Sequence, residues 1–151
     1  MLRVSKKALY AVEAVLDVAY HGGSEAVSSL DIARRQGIPR RYLEQVLQAL
    51  VHAGLLAGQR GPRGGYRLAR ERRRITVGEI LAVVAALEGV EDPLEASPGS
   101  ALGLQVLRPL LQDSLQEMLD RLRTVTIETL CERGRSAGIE SEARAQPDFS
   151  I

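Results

Sequence analysis

The sequence predicts a mainly α fold: a winged helix-turn-helix domain with a small β-hairpin wing, then a long C-terminal dimerisation helix. Three observations carry this prediction. Apolar residues recur at steps of three and four over residues 38–54, and a glycine-rich hairpin follows at once over 55–68. A short capped helix stands just before them, set off by a turn at Gly37. Far downstream, Leu104, Leu107, Leu111, Leu115, Met118, Leu122 and Val125 draw one narrow apolar stripe at coiled-coil-like spacing.

Taken in order, Ser5 caps a first helix over 5–20. Its apolar side is Leu9, Val12, Val15, Leu16 and Ala19, and Gly22-Gly23 end it. Lys6 and Lys7 lie in the first turn, where the helix dipole disfavours cations. That placement suits either a phosphate at the helix start or two solvated lysines. Ser28 and Ser29 open a second helix with Asp31 in capping-box position, and Leu30, Ile32 and Ala33 face inward. Arg34, Arg35 and Gln36 close it before Gly37.

The third helix takes Pro39 at its first position and buries Leu43, Val46, Leu47, Leu50 and Val51. Gly54 supplies a left-handed C-terminal cap. Its solvated face and first turn hold Arg40, Arg41, Tyr42, Glu44, Gln45 and Gln48. Strands over 55–57 and 66–68 flank a tight tip, Gly61-Pro62-Arg63-Gly64-Gly65, from which Arg60 and Arg63 project.

The basic run over 70–74 reads as a solvated loop. Thr76 and Glu79 make a capping box for a helix over 77–87, which packs through Val77, Ile80, Leu81, Val84 and Leu87. Two prolines and three glycines oppose regular structure in the acidic stretch 88–103. The β-branched run 124–127 ends the long helix, and Thr126 caps a short last one. The expected organisation is a winged domain over 1–87, a linker loop over 88–103, dimerisation helices over 104–133, and a disordered tail over 134–151.

A length of 151 residues favours one compact domain with an accessory segment. Hydrophobic residues make up 45% but aromatics only 3%, so the core is aliphatic. One cysteine, Cys131, excludes an internal disulfide framework and suits a reducing cytoplasm. No apolar run approaches the ~20 residues of a membrane span, and the start lacks a signal-peptide core. The expectation is a cytoplasmic protein with no membrane partner.

The net charge of +1 conceals a split. Residues 1–87 hold 14 basic and 7 acidic side chains, whereas 88–151 hold 6 and 12. A basic front half suits a polyanion. A helix able to enter a groove, followed by an arginine-bearing hairpin, specifies double-stranded DNA as that polyanion. Catalytic chemistry is missing: His21 and His52 are isolated and read as capping or surface residues, and no Walker loop is present. No enzyme activity, metal or cofactor is expected.

Five stretches stand out together: Leu2-Arg3-Val4-Ser5 with Tyr10-Ala11-Val12, Ile32-Ala33 with Gly37-Ile38, Tyr42-Leu43-Glu44-Gln45, Arg60-Gly61-Pro62-Arg63-Gly64-Gly65-Tyr66, and Thr76-Val77-Gly78-Glu79-Ile80. In them the chain resembles a known family, the IscR-like (Rrf-two) bacterial regulators. The resemblance implies a homodimeric winged-helix transcription factor, usually a repressor that occludes promoters. It implies Glu44 and Gln45 on base edges in the major groove and Arg60 in the minor groove. Arg41, Tyr42, Ser5 and Tyr10 would hold phosphates.

Cluster-binding members of that family carry three cysteines between the winged domain and the long helix. Here that stretch, Glu88 to Gly103, has none. Thiolates hold iron–sulfur clusters and carboxylates replace them poorly. The resemblance therefore narrows to the cluster-free, CymR-like type, which implies control of sulfur, cysteine or iron–sulfur metabolism genes and a metabolic-enzyme partner such as cysteine synthase. Two rivals stay open: an interaction module whose acidic C-terminal half docks such an enzyme, and a metal sensor using Asp92, Glu95 and the histidines.

Overall fold

The computed structural model describes residues 4–143. Helix α1 (Lys6–His21) is its centre and touches α2 (Ser29–Gln36), α3 (Arg40–His52), α4 (Val77–Glu88) and α7 (Ile127–Ser136). Ser5 caps α1 by accepting the Ala8 N–H at 3.1 Å. The buried face is built on Ala8, Ala11, Ala14, Val15, Val18 and Ala19, whose small side chains let four helices approach. Leu9 is not part of it. It lies about 100° around the helix from Ala8 and is 49% exposed.

Ser28 caps α2 through the Asp31 N–H at 3.1 Å, and Gly37 ends it at φ 63°. Leu30, expected inside, is 60% exposed. Ile32 takes the buried face of this eight-residue helix, and a residue two positions away points about 200° from it. Pro39 stands one place before α3 rather than at its first position, and its carbonyl accepts from Tyr42 and Leu43 at 3.0 and 3.1 Å. Leu43, Val46, Leu47 and Leu50 are buried, while Val51 lies at the exposed rim. Gly54 follows in the left-handed region at φ 77°.

The wing is an antiparallel pair, β1 (Leu56–Gln59) and β2 (Gly65–Leu68), with Leu56 opposite Leu68 and Gln59 opposite Gly65. Leu55 is buried just outside β1. Val27 adds a bridge on the other side of β2, exchanging backbone hydrogen bonds of 2.9 and 2.8 Å with Tyr66. The wing is thereby joined to the entry of α2.

The basic run 70–74 is more than a solvated loop. It contains a 3-10 turn, Arg72–Arg74, and is pinned by Arg70 to Glu79 at 2.6 Å and by Arg72 to Glu128 at 3.3 Å. Thr76 caps α4 as expected, although Leu87 at its far end is exposed. Thr126 caps α7, and the two capping segments pair: Val77 N–H donates to Val125, and Ile127 N–H to Ile75, both at 2.9 Å.

The stretch 88–103 is not the irregular loop its composition suggests. Asp92 and Pro93 make an N-cap and first-turn pair for a short helix, α5 (Pro93–Ala96). The Arg108 guanidinium donates to the carbonyls of Leu94, Ser97 and Pro98 at 3.2, 2.6 and 2.8 Å, fixing the segment's exit. A π-helical stretch, Gly103–Leu107, leads directly into α6 (Arg108–Leu122).

The tail expected from residue 134 begins inside α7, which runs to Ser136. Residues 139–142 then hydrogen-bond back to α1 and α2. Residues 144–151 of that expected tail lie outside the described residues. Among the described residues, no helix is long and apolar enough to cross a membrane.

Candidate nucleic-acid interface

The alternation that buries one face of α3 turns the other outward. Arg40, Arg41, Tyr42, Glu44, Gln45 and Gln48 are all exposed there. No side chain caps the start of α3, which leaves its first N–H groups for water or an anion. Arg40 Nε lies 3.7 Å from Glu44 Oε1, a one-turn ion pair on the outer surface.

In the wing, Arg60 and Arg63 are exposed at the tip, as expected. The reason for the second glycine of the Gly64-Gly65 pair emerges only in three dimensions. A Cβ at Gly65 would stand 2.2 Å from the Val27 carbonyl oxygen and 2.8 Å from the Ser28 nitrogen, and φ there is 151°. Gly65 therefore lets the wing backbone close onto the start of α2.

That closure brings residues that no sequence motif marks next to the wing arginines. Arg60 shares an open cleft of about 540 Å³ with Ser28, Ser29 and Gln59. Arg63 and Arg67 line a neighbouring one of about 400 Å³ with Gln59 and Asp31. In the sequence Ser28 is legible only as a helix cap. Its place beside the wing depends on the Val27–Tyr66 bridge, which no local pattern announces.

The start of α1 is a third location. Lys6 is exposed, and Lys7 and Tyr10 are half-buried, the Tyr10 ring packing against the core. The Ser5 oxygen already serves the Ala8 N–H, but its hydroxyl proton remains able to donate to a phosphate. The structure thus joins Arg60 with Arg63 in the wing and Arg40 with Glu44 and Gln45 on α3. Ser5, Lys6, Lys7 and Tyr10 sit apart on α1.

The predicted dimerisation stripe finds little cover in its own chain. No residue of α6 is buried. Leu104, Leu107, Leu111 and Met118 are 40–53% exposed, while Leu115, Leu122 and Val125 are half-buried. Such a stripe is the kind of surface a second chain covers.

A mainly helical core, a two-stranded wing tied to the helix-turn-helix and an outward polar face on its second helix define the class. This is a winged helix-turn-helix protein of the transcription-regulator kind. Comparison with known proteins then gives the family. The chain belongs to the Rrf2 family, whose model, described as an iron-dependent transcriptional regulator, matches residues 4–133.

Three relatives show how far the likeness reaches. The HTH-type transcriptional regulator IscR of Vibrio atlanticus (strain LGP32) is 48% identical over 83 residues, which are 55% of this chain and 48% of that protein. The chain spans about half the length of the curated IscR relatives it matches. The solved structure of T. potens IscR is 33% identical with a TM-score of 0.73, covering 99% of this chain and 97% of that one. CymR (YrzC), the global cysteine regulator of B. subtilis, is 32% identical with a TM-score of 0.69, covering 88% and 98%.

The family description implies iron, and the residues present do not fit an iron–sulfur cluster. The one thiol, Cys131, is buried inside α7, and burial pushes its pKa up while neighbouring Arg72 opposes the shift. A thiol so placed is a poor source of thiolate. The segment 88–103 offers four carboxylates and neither thiol nor imidazole. Among the described residues, no three His, Cys, Asp or Glu side chains converge as a metal site, Asp92, Glu95 and the histidines included.

Proposed function

We propose that this protein is a sequence-specific regulator of transcription that binds double-stranded DNA as a homodimer, without an iron–sulfur cluster. The observation that carries the reading is the outward face of α3, where Arg40, Arg41, Tyr42, Glu44 and Gln45 stand free of the core. In helix-turn-helix docking the start of the second helix meets the bases. Gln45 can bond adenine through two hydrogen bonds, and Glu44 can accept from cytosine. Arg60 suits a narrow, electronegative minor groove. Arg41, Tyr42, Ser5, Lys6, Lys7 and Tyr10 hold phosphates.

Dimerisation through Leu104, Leu107, Leu111, Leu115, Met118, Leu122 and Val125 is supported by the exposure of Leu104, Leu107, Leu111 and Met118 along the π-helical stretch and α6. A two-fold dimer presents two recognition helices to a palindromic operator. Occupying such an operator blocks a promoter, so repression is the favoured sign. The likeness to CymR, a global cysteine regulator, supports cysteine and sulfur genes as targets; a metabolic-enzyme partner such as cysteine synthase is what the family resemblance in the sequence implies. The cytoplasm is the compartment where such a regulator meets DNA.

Two measurements test this reading. Fluorescence anisotropy with random-sequence duplex DNA at 50 to 200 mM salt should show affinity falling steeply, roughly one power of salt per phosphate neutralised. Salt-insensitive binding would remove the nucleic-acid reading. An absorption spectrum of protein purified anaerobically should lack cluster bands in the visible; a stoichiometric iron and sulfide content would overturn the cluster-free assignment.

A further inference from the structure

Residues 139–143, beyond α7, lie against the body of the protein. They turn back along the ends of α1 and α2 and are fastened at four points. The Tyr20 hydroxyl donates to the Ile139 carbonyl, and the Ser141 hydroxyl donates to the Tyr20 carbonyl at 2.6 Å. The Glu142 carboxylate accepts from Arg34 at 3.0 Å and from Arg35 at 2.8 Å. The Glu142 N–H donates to Nδ1 of His21 at 3.0 Å. All the groups that receive the segment belong to the helix-turn-helix half of the chain.

The last contact demands one protonation state. A neutral imidazole has a single acceptor nitrogen, and here Nδ1 must be that nitrogen. Protonation would set an N–H of the ring against the Glu142 N–H and remove the bond. We propose that His21 is the proton-sensitive catch of a latch that holds residues 139–143 against the helix-turn-helix.

The charges around His21 bear on the direction. Its own helix brings Asp17, and α2 brings Arg34, Arg35 and Asp31. The intervening turn brings Glu25, and the latch brings Glu142. The Tyr20 ring stands edge-on at 5.2 Å. Asp17 is consumed by Arg35 and Gln36, which give it three hydrogen bonds. Glu142 is shared by two arginines that hold its pKa below the ordinary carboxylate value. Burial is the largest influence on His21 and lowers its pKa, with Asp17 and Glu142 pulling the other way.

The sign follows from linkage. Docking uses the lone pair of Nδ1 and so favours the neutral ring, and the latch is fully held at pH values above the pKa of undocked His21. It is lost as pH falls through the lower docked value. Each unit of difference between the two values weakens docking by about tenfold. Release leaves a charged His21 and takes the Glu142 carboxylate away from Arg34 and Arg35, which keep Asp31 at 3.8 Å and Asp17 at 2.7 Å, so the positive charge beside the helix-turn-helix rises.

The test is ¹⁵N NMR of the full chain titrated from pH 8 to pH 5. In the wild type the Glu142 amide should lose its hydrogen-exchange protection, corrected for intrinsic rates, in step with the His21 Nδ1 titration. His21→Asn places a carbonyl oxygen near Nδ1 and does not titrate, so it should keep Glu142 protected throughout. His21→Ala should leave it unprotected at every pH. Constant protection in the wild type while His21 titrates would overturn the proposal, as would the same step in His21→Asn. None of these readouts depends on DNA binding.

Discussion

Arg35 grips the carboxylate of Asp17 through two hydrogen bonds, Nε to Oδ2 at 2.9 Å and Nη2 to Oδ1 at 2.7 Å, and so clamps α2 onto α1. Asp17 is 1% exposed and takes a third bond from Gln36 at 2.7 Å. Removing one member of a buried pair strands the other, at about 3–5 kcal/mol. Asp17→Ala should therefore lower unfolding stability by that order in urea titrations. The double variant Asp17→Ala/Arg35→Leu should recover part of the loss; additive losses would mean that the two residues act independently.

The close approach at Gly65 makes a second prediction. Any Cβ there meets the Val27 and Ser28 backbone, so Gly65→Ala must push the wing away from α2. Overpacking of this kind costs about 1–3 kcal/mol. Thermal unfolding and duplex binding should both weaken in Gly65→Ala. Unchanged affinity in a destabilised protein would show that the wing's attachment has no bearing on DNA.

At the wing tip, Arg60→Ala and Arg63→Ala together should weaken duplex binding, with Arg60 mattering more. The slope of log K against log salt should fall by about one unit for each phosphate no longer neutralised. An identical slope in the double variant would sink the wing assignment.

These predictions rest unequally on what the chain displays in one dimension. The recognition helix is legible because Leu43, Val46, Leu47 and Leu50 repeat at helical steps, and all four are buried. The centre of α1 is harder to read, because large apolar residues draw the eye from small ones. Ala8, Ala11 and Ala14 form the packed face there, while Leu9 is turned out. Arg34 and Arg35 read as cations at a helix end. The partners of Arg35, Asp17 and Glu142, lie 18 and 107 residues away in sequence, a pairing that no local period encodes. The same holds for Arg108, whose bonds order a segment that composition marks as irregular.

The α6 stripe gives a prediction about assembly. Leu111→Glu with Met118→Glu would place like charges across a two-fold axis and cost several kcal/mol in pairing, roughly the penalty for burying unpaired charge. Sedimentation should find a dimer for the wild type at micromolar concentration and a monomer for the double variant. An intact dimer in the variant would mean that the chains associate through another surface.

The central claim is that the first turns of α3 read bases. Selection of binding sites from random duplex DNA tests it most directly, run in parallel on the wild type, Gln45→Ala and Glu44→Ala. The wild type should enrich a two-fold symmetric motif. Gln45→Ala should relax one base pair in each half-site, a discrimination of about 1–3 kcal/mol. Glu44→Ala should lower the ratio of specific to non-specific affinity, because a carboxylate that accepts from a base also repels phosphates. Recovery of the same motif from all three proteins, or of no motif from the wild type, would contradict the claim.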